Sequence, residues 1–187
     1  KAGFDWQVDA QNSFTVSAFY SREAHIDRGD LPYYSADLKD RKRLWMFYED
    51  EVNSAVTASA AYQHKFKQPG HLLNVTFNYT FHREDELYVM PAFTGQDTFK
   101  LIADQHVADF GIDYVRPLKR GRIEAGTKFR HRNIPTDMQF FPGVQSPLDK
   151  GAAGWATYRE VIPAVYSNYV LETRQFELEA GLRVEYA

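Results

Sequence analysis

Six histidines (His25, His64, His71, His82, His106 and His131) and the serines Ser54, Ser59 and Ser167 have side chains suited to metal binding or nucleophilic catalysis. A zinc site needs a spacing such as H-E-x-x-H, and no two of these histidines have it. Cysteine is absent, so thiolate ligands and disulfides are both excluded. His64 and His71 straddle a short turn and could approach each other. Acyl transfer would need a Ser with His and Asp arranged around it, and none of the three serines has that pattern. Nucleophile-elbow, P-loop and G-x-G-x-x-G motifs are missing. The chain reads as a non-enzyme without cofactor or metal, its histidines structural or solvated. Asp27-Arg28-Gly29-Asp30 holds an Arg-Gly-Asp tripeptide that loop polarity explains.

The elements that position these groups are strands. The 187 residues are 44% hydrophobic and 16% aromatic, which excludes disorder, and a net charge of −3 gives no footprint for nucleic acid. No apolar run approaches the ~18 residues of a membrane helix, and no charged-then-apolar leader opens the chain. Period-2 alternation dominates instead. Leu73, Val75, Phe77, Tyr79 and Phe81 share one face, with Asn74, Thr76, Asn78, Thr80 and His82 on the other. Phe176 to Tyr186 alternates in the same way. So do Val56–Phe66, Ala108–Tyr114, Ile123–Phe129, and the opening runs Phe4–Val8 and Phe14–Tyr20. Pro163 interrupts Tyr158–Val170 and implies a bulge or a weak ladder position there. The pattern predicts an all-β, antiparallel up-and-down meander of about eight strands.

Short polar turns fall near Ala10-Gln11-Asn12, Lys67–Gly70, Pro117–Gly121 and Leu171–Arg174. Long irregular stretches are expected at Arg28–Lys42, Asp85–Asp97 and Ile134–Gly154. The two kinds alternate, so an up-and-down sheet has its short turns at one end and its long loops at the other. Outer-membrane barrels share that asymmetry. Charges on the polar face (Arg122, Glu124, Lys128, Arg130; Glu177, Glu179, Arg183, Glu185) suit a hydrated lumen, where they pair across strands or guide a ligand. Aromatics at the ends of the apolar runs suit an interfacial girdle. A soluble sandwich or carrier barrel alternates identically, with its apolar face turned inward.

Tyr62 to Leu73, through Pro69-Gly70-His71-Leu72, followed by Val75-Thr76-Phe77-Asn78-Tyr79, resembles a hairpin of TonB-dependent receptors of the outer-membrane β-barrel family. Asp113-Tyr114-Val115-Arg116-Pro117-Leu118 with Gly126-Thr127-Lys128, and Tyr158–Tyr169 with Ala180-Gly181-Leu182-Arg183-Val184-Glu185, are similar to later blocks of that family. The resemblance implies that residues 1–187 are part of a transmembrane β-barrel domain in the outer membrane of a Gram-negative cell, an internal piece of its wall. It implies uptake of a scarce nutrient (a siderophore–iron complex, a cobalamin, an oligosaccharide or a peptide). The implied partners are outer-membrane lipid, that small ligand, and a TonB complex acting through a plug that these residues do not include. The alternatives are a self-contained eight-stranded outer-membrane protein with a structural or adhesive role, and a soluble β-barrel binding an apolar ligand. Ligand contacts at the outer mouth are assigned to Tyr33 and Tyr34 in one loop and to Phe140 and Phe141 in another. Packing of the loops on each other explains these aromatics equally well.

Overall fold

Alternation along the chain becomes eight strands in the computed structural model, which describes residues 1–92, 95–144, 146, 149, 151 and 153–186. They are β1 (Ala2–Gln7), β2 (Asn12–Tyr34), β3 (Arg41–Lys65), β4 (Leu72–Ala92), β5 (Gly95–Leu118), β6 (Gly121–Phe141), β7 (Gly154–Glu172) and β8 (Glu177–Glu185). Each pairs antiparallel with its sequence neighbour, in the order β1 to β8. The meander is therefore as expected.

Short turns close one end. Asp9 organises the first, accepting from the Gln11 and Asn12 backbone N–H groups at 2.7 and 2.8 Å. Gly70 takes a positive φ of 77° after Pro69. At the third turn Gly121 has φ 114°, and a Cβ there would sit 1.9 Å from the Val170 carbonyl oxygen. Only glycine fits. Thr173 holds the fourth, its Oγ1 accepting from the Phe176 N–H at 3.0 Å.

The other end differs from expectation. Arg28–Lys42 and Asp85–Asp97 are mostly strand, not irregular loop, and Ile134–Gly154 is strand over its first eight residues: β2 runs to Tyr34 and β3 starts at Arg41, β4 runs to Ala92, and β6 runs to Phe141. The asymmetry comes from strands of 19–25 residues, about twice the 9–11 that cross a bilayer. The upper halves have water on both sides, so nothing selects an apolar stripe, and strand and loop look alike in sequence. Arg28-Gly29-Asp30 accordingly lies within β2 and is not a loop tip.

Pro163 makes no bulge. It holds regular register with Phe129, and its carbonyl accepts the Tyr186 N–H at 3.1 Å. A strand residue's N and C=O point to the same side, so the missing N–H faces the end of β8 and costs no bond to β6. Pro135 lies where the β5–β6 pairing is interrupted, between Ala103↔Thr136 and His106↔Asn133.

Register aligns the apolar residues across the whole sheet. One row reads Phe4, Val16, Ala60, Phe77, Phe110, Phe129, Pro163, and the next Trp6, Phe14, Tyr62, Val75, Ile112, Thr127, Val165, Val184. These rows are open to the surroundings, with Phe77 44% and Phe110 39% exposed, and so is Leu182 on the same face at 72%. The polar face is the more enclosed. Along β7, Glu160, Ile162, Tyr166 and Asn168 are half-buried and Ala164 and Val170 buried, while Val161, Pro163, Val165 and Tyr169 between them are exposed. A water-soluble strand has the opposite phase.

Among the described residues the only buried hydrophobics are Ala103, Ala164 and Val170, so the sheet encloses no core. Its accessible area of 13222 Å² far exceeds the roughly 9,000 Å² of a compact protein of this mass. The soluble sandwich or carrier barrel, with Phe77 and Phe110 packed inside, is thus corrected.

The apolar stripe of β4 from Leu73 to Phe81 measures about 27 Å along the strand, and tilting reduces that toward the ~25 Å apolar band of outer-membrane barrels. Above it the same face turns charged, with Arg83–Asp104 at 3.6 Å and Lys100–Asp85 at 3.4 Å. Below it lies a girdle of polar-tipped rings. Asn12 Oδ1 accepts from Tyr62 Oη at 2.6 Å and lies 2.7 Å from His64 Nδ1, and His71 Nε2 lies 2.8 Å from Tyr114 Oη. Phe66 stands between the two turn histidines, edge-on to His64 and stacked on His71 at 3.8 Å. These histidines do not meet as a pair.

The faces are testable. In the full-length protein refolded into lipid vesicles, Phe77→Arg is expected to lower the urea-measured stability by ~2–4 kcal/mol, because the charge faces hydrocarbon. Asn78→Arg, one residue along on the wet face, should cost well under half of that.

Candidate functional site

The polar face is the surface on which the fold assembles chemistry, and it has three zones. On the lower parts of β2–β5 it is mostly uncharged. Ser13, Thr15, Gln63, Asn74 and Thr76, with Asp113 at the rim, line a shallow hollow of about 350 Å³. Gln63 Nε2 donates to Asn74 Oδ1 at 3.0 Å across the β3–β4 ladder.

Toward β5–β7 the same level is charged and internally paired. Arg130 grips Asp109 with two bonds of 2.6 and 3.2 Å, Arg132 lies 3.3 Å from Glu160, and Arg122 lies 2.6 Å from Glu124. Register explains the first two, since Asp109↔Arg130 and Arg132↔Glu160 are directly opposed residues. Arg122 also bonds Glu172 on β7.

Above the apolar belt the polar face carries carboxylates. Glu23, Asp27, Glu49, Glu51, Glu84 and Glu86 come from β2, β3 and β4. Glu51↔Glu86 and Asp27↔Glu49 are directly opposed, an arrangement that repels. Among the described residues His25, its Nε2 3.1 Å from Glu23, is the one basic group paired with any of the six. Partial burial, with Glu49, Glu84 and Glu51 nearby, pushes the Glu86 carboxyl up to about 7. Burial and Glu49 also raise the Tyr88 phenol.

Beside these acids lies a ladder of rings, with Tyr88, Phe99 and Phe140 continuing the row of Asp27 and Glu49. Phe47 stacks on Tyr88 with centroids 5.9 Å apart, Tyr88 on Phe99 at 4.9 Å with planes 5° apart, and Phe99 meets Phe140 edge-on at 5.8 Å. Register sets Tyr88 opposite Phe99 and Phe99 opposite Phe140. The Phe47 ring covers Gly29, where a Cβ would lie 2.3 Å from the ring, so any side chain there would displace it.

Of the aromatics singled out from sequence, Phe140 belongs to this ladder. Phe141 lies on the opposite face, across from Thr98, and is exposed. Tyr33 is opposite Arg43 near the β2–β3 tip, and Tyr34 sits at a register shift next to it. None of the four is in a loop; all are strand residues. No ring contact joins the tyrosines to the phenylalanines among the described residues. Phe47, Tyr88 and Phe99 were missed. Counting outward from the Lys119-Arg120 turn places Phe99 opposite Phe140, and that signal could have found one of them.

The chain belongs to a family of outer-membrane barrels: residues 64–187 match the model described as "Outer membrane protein beta-barrel family". The protein is accordingly an outer-membrane β-barrel protein, and its apolar belt faces lipid. No curated protein and no solved structure matches it.

Glu86 supplies a prediction outside the membrane level. Its carboxyl should titrate near pH 7 by carbon-13 NMR, and Glu49→Gln should move the midpoint down by removing a like charge. A raised acid pKa favours the fold below the ordinary value of 4.5 and loses that contribution as pH rises toward 7. Local hydrogen exchange, corrected for its intrinsic rate, should therefore quicken over that window, and Glu86→Gln should abolish the change.

Proposed function

We propose that this chain is wall from a TonB-dependent receptor, a plugged barrel that takes up a scarce nutrient across the outer membrane. The observation that carries the reading is a polar inner face that encloses no packed core. Eight strands closed on themselves make a barrel whose interior side chains fill. Here β1 pairs with β2 alone and β8 with β7 alone. Lipid offers no partner for the backbone groups on those two edges, which favours a wider wall completed by further strands over a self-contained eight-stranded barrel.

A wide lumen leaves room for a plug, and the neutral hydroxyl and amide wall of β2–β4 suits contact with one. The hairpin, turn and strand motifs quoted from Tyr62 onward support the same reading. The protein in this role transports and catalyses no bond change. Its ligand, unlike its lipid partner, is met at the outer mouth.

Cross-linking in cells tests the idea. The full-length protein should be captured by the periplasmic domain of TonB, and capture should be lost when the plug's TonB-contacting segment is deleted. Capture that never occurs, in cells where a known TonB-dependent receptor is captured, would exclude the reading.

A further inference from the structure

We infer that the ring ladder of Phe47, Tyr88, Phe99 and Phe140, set beside the carboxylates of β2–β4, is the docking surface for a basic peptide bearing aromatic or aliphatic side chains. The inference rests on the reading of this face as the ligand-facing wall, and it names the chemistry of what the wall receives.

Charge complementarity selects the occupant. Among the described residues Asp27, Glu49, Glu51, Glu84 and Glu86 have no cationic partner, and like charges stand directly opposite each other in the ladder. Lower on the same face, the neighbouring acids Asp109 and Glu160 each have an arginine. A surface left with carboxylates in excess attracts cations and repels anionic ligands. No group of three potential metal ligands occurs among the described residues, which favours a cation carried on a larger molecule.

The rings decide what carries the charge. Stacked faces this close present a continuous apolar edge, and such surfaces bind flat or aliphatic groups and the guanidinium plane of arginine. Dimensions favour a chain over a single small molecule. The ladder crosses β3 to β6, three strand spacings or about 14 Å, and the acids cover a similar distance along the strands. Cationic and apolar side chains on an extended peptide match a row that runs from Asp27 and Glu49 into Tyr88, Phe99 and Phe140, with Glu51 and Glu86 in the next row. Protonation of Glu86 would remove one carboxylate as the pH falls, so binding should weaken below neutrality.

The experiment uses the full-length protein in detergent and an eight-residue probe of alternating Arg and Phe, with affinity read by calorimetry. Binding should fall at least tenfold when citrulline replaces Arg, at least tenfold when Ser replaces Phe, and steeply with added salt. The triple variant Glu49→Gln, Glu51→Gln, Glu84→Gln and the separate variant Phe99→Ser should each reproduce one of these losses. Heat-resistant migration on gels would show that the barrel has stayed folded. Equal affinity of the citrulline probe, or unchanged binding by both variants, would overturn the proposal. Full displacement of the probe by millimolar calcium would assign the acids to a metal, and preference for a neutral glucose oligomer would assign the rings to a sugar; either overturns it. So does failure of the wild-type protein to bind, the result expected if another segment of the protein covers the ladder. The assay contains no TonB, so failure here leaves the transport reading standing, and failed TonB capture leaves the peptide result standing.

Discussion

Hydrocarbon cannot hydrogen-bond to a peptide group, and this constraint governs the rest of the structure. Each N–H and C=O at membrane depth must find a partner within the sheet, and at that level the antiparallel ladders from β2 to β7 satisfy it. Even the prolines fit. Pro163 turns its missing donor toward the end of β8, and Pro135 interrupts the β5–β6 pairing where the outer surface has already become charged. With backbone satisfied locally, side chains are free to serve two solvents: rings and aliphatics toward lipid, carboxylates, amides and guanidiniums toward water.

The membrane-level half of this arrangement was legible in the sequence because those two solvents differ. Leu73 through Phe81 alternates because one side meets oil and the other water, and the same holds for Ile123–Phe129 and Leu178–Tyr186. The turns were legible too, since Pro69-Gly70 and Gly121 carry backbone angles that few residues accept. Above the belt the contrast ends. Glu84-Asp85-Glu86 is polar on both faces although every residue is in the ladder, so its composition matches that of a loop.

The candidate site was correspondingly hard to read. It needs Phe47, Tyr88, Phe99 and Phe140 from four strands, and all four lie outside the alternating apolar runs. Phe99 and Phe140 are related by a legible two-residue turn. Tyr88 and Phe99 are related by a hairpin whose tip carries no Pro-Gly signal. Tyr33 and Tyr34 drew attention because aromatics beside proline stand out, but the ring contacts form elsewhere. Pairwise register, which a single sequence conceals wherever turns are unmarked, is what brings distant aromatics into a stack.

The length of the strands has a consequence for access. From Arg22 to Tyr34, β2 continues for some 40 Å beyond the oily belt, a path longer than the ~30 Å thickness of a bilayer's interior. A group placed near the rim therefore stands farther from the lipid than the bilayer interior is thick. Summit and belt meet different surroundings at separate heights, so a substitution at the summit can change the surface shown to the medium without disturbing the seal that the belt makes with lipid.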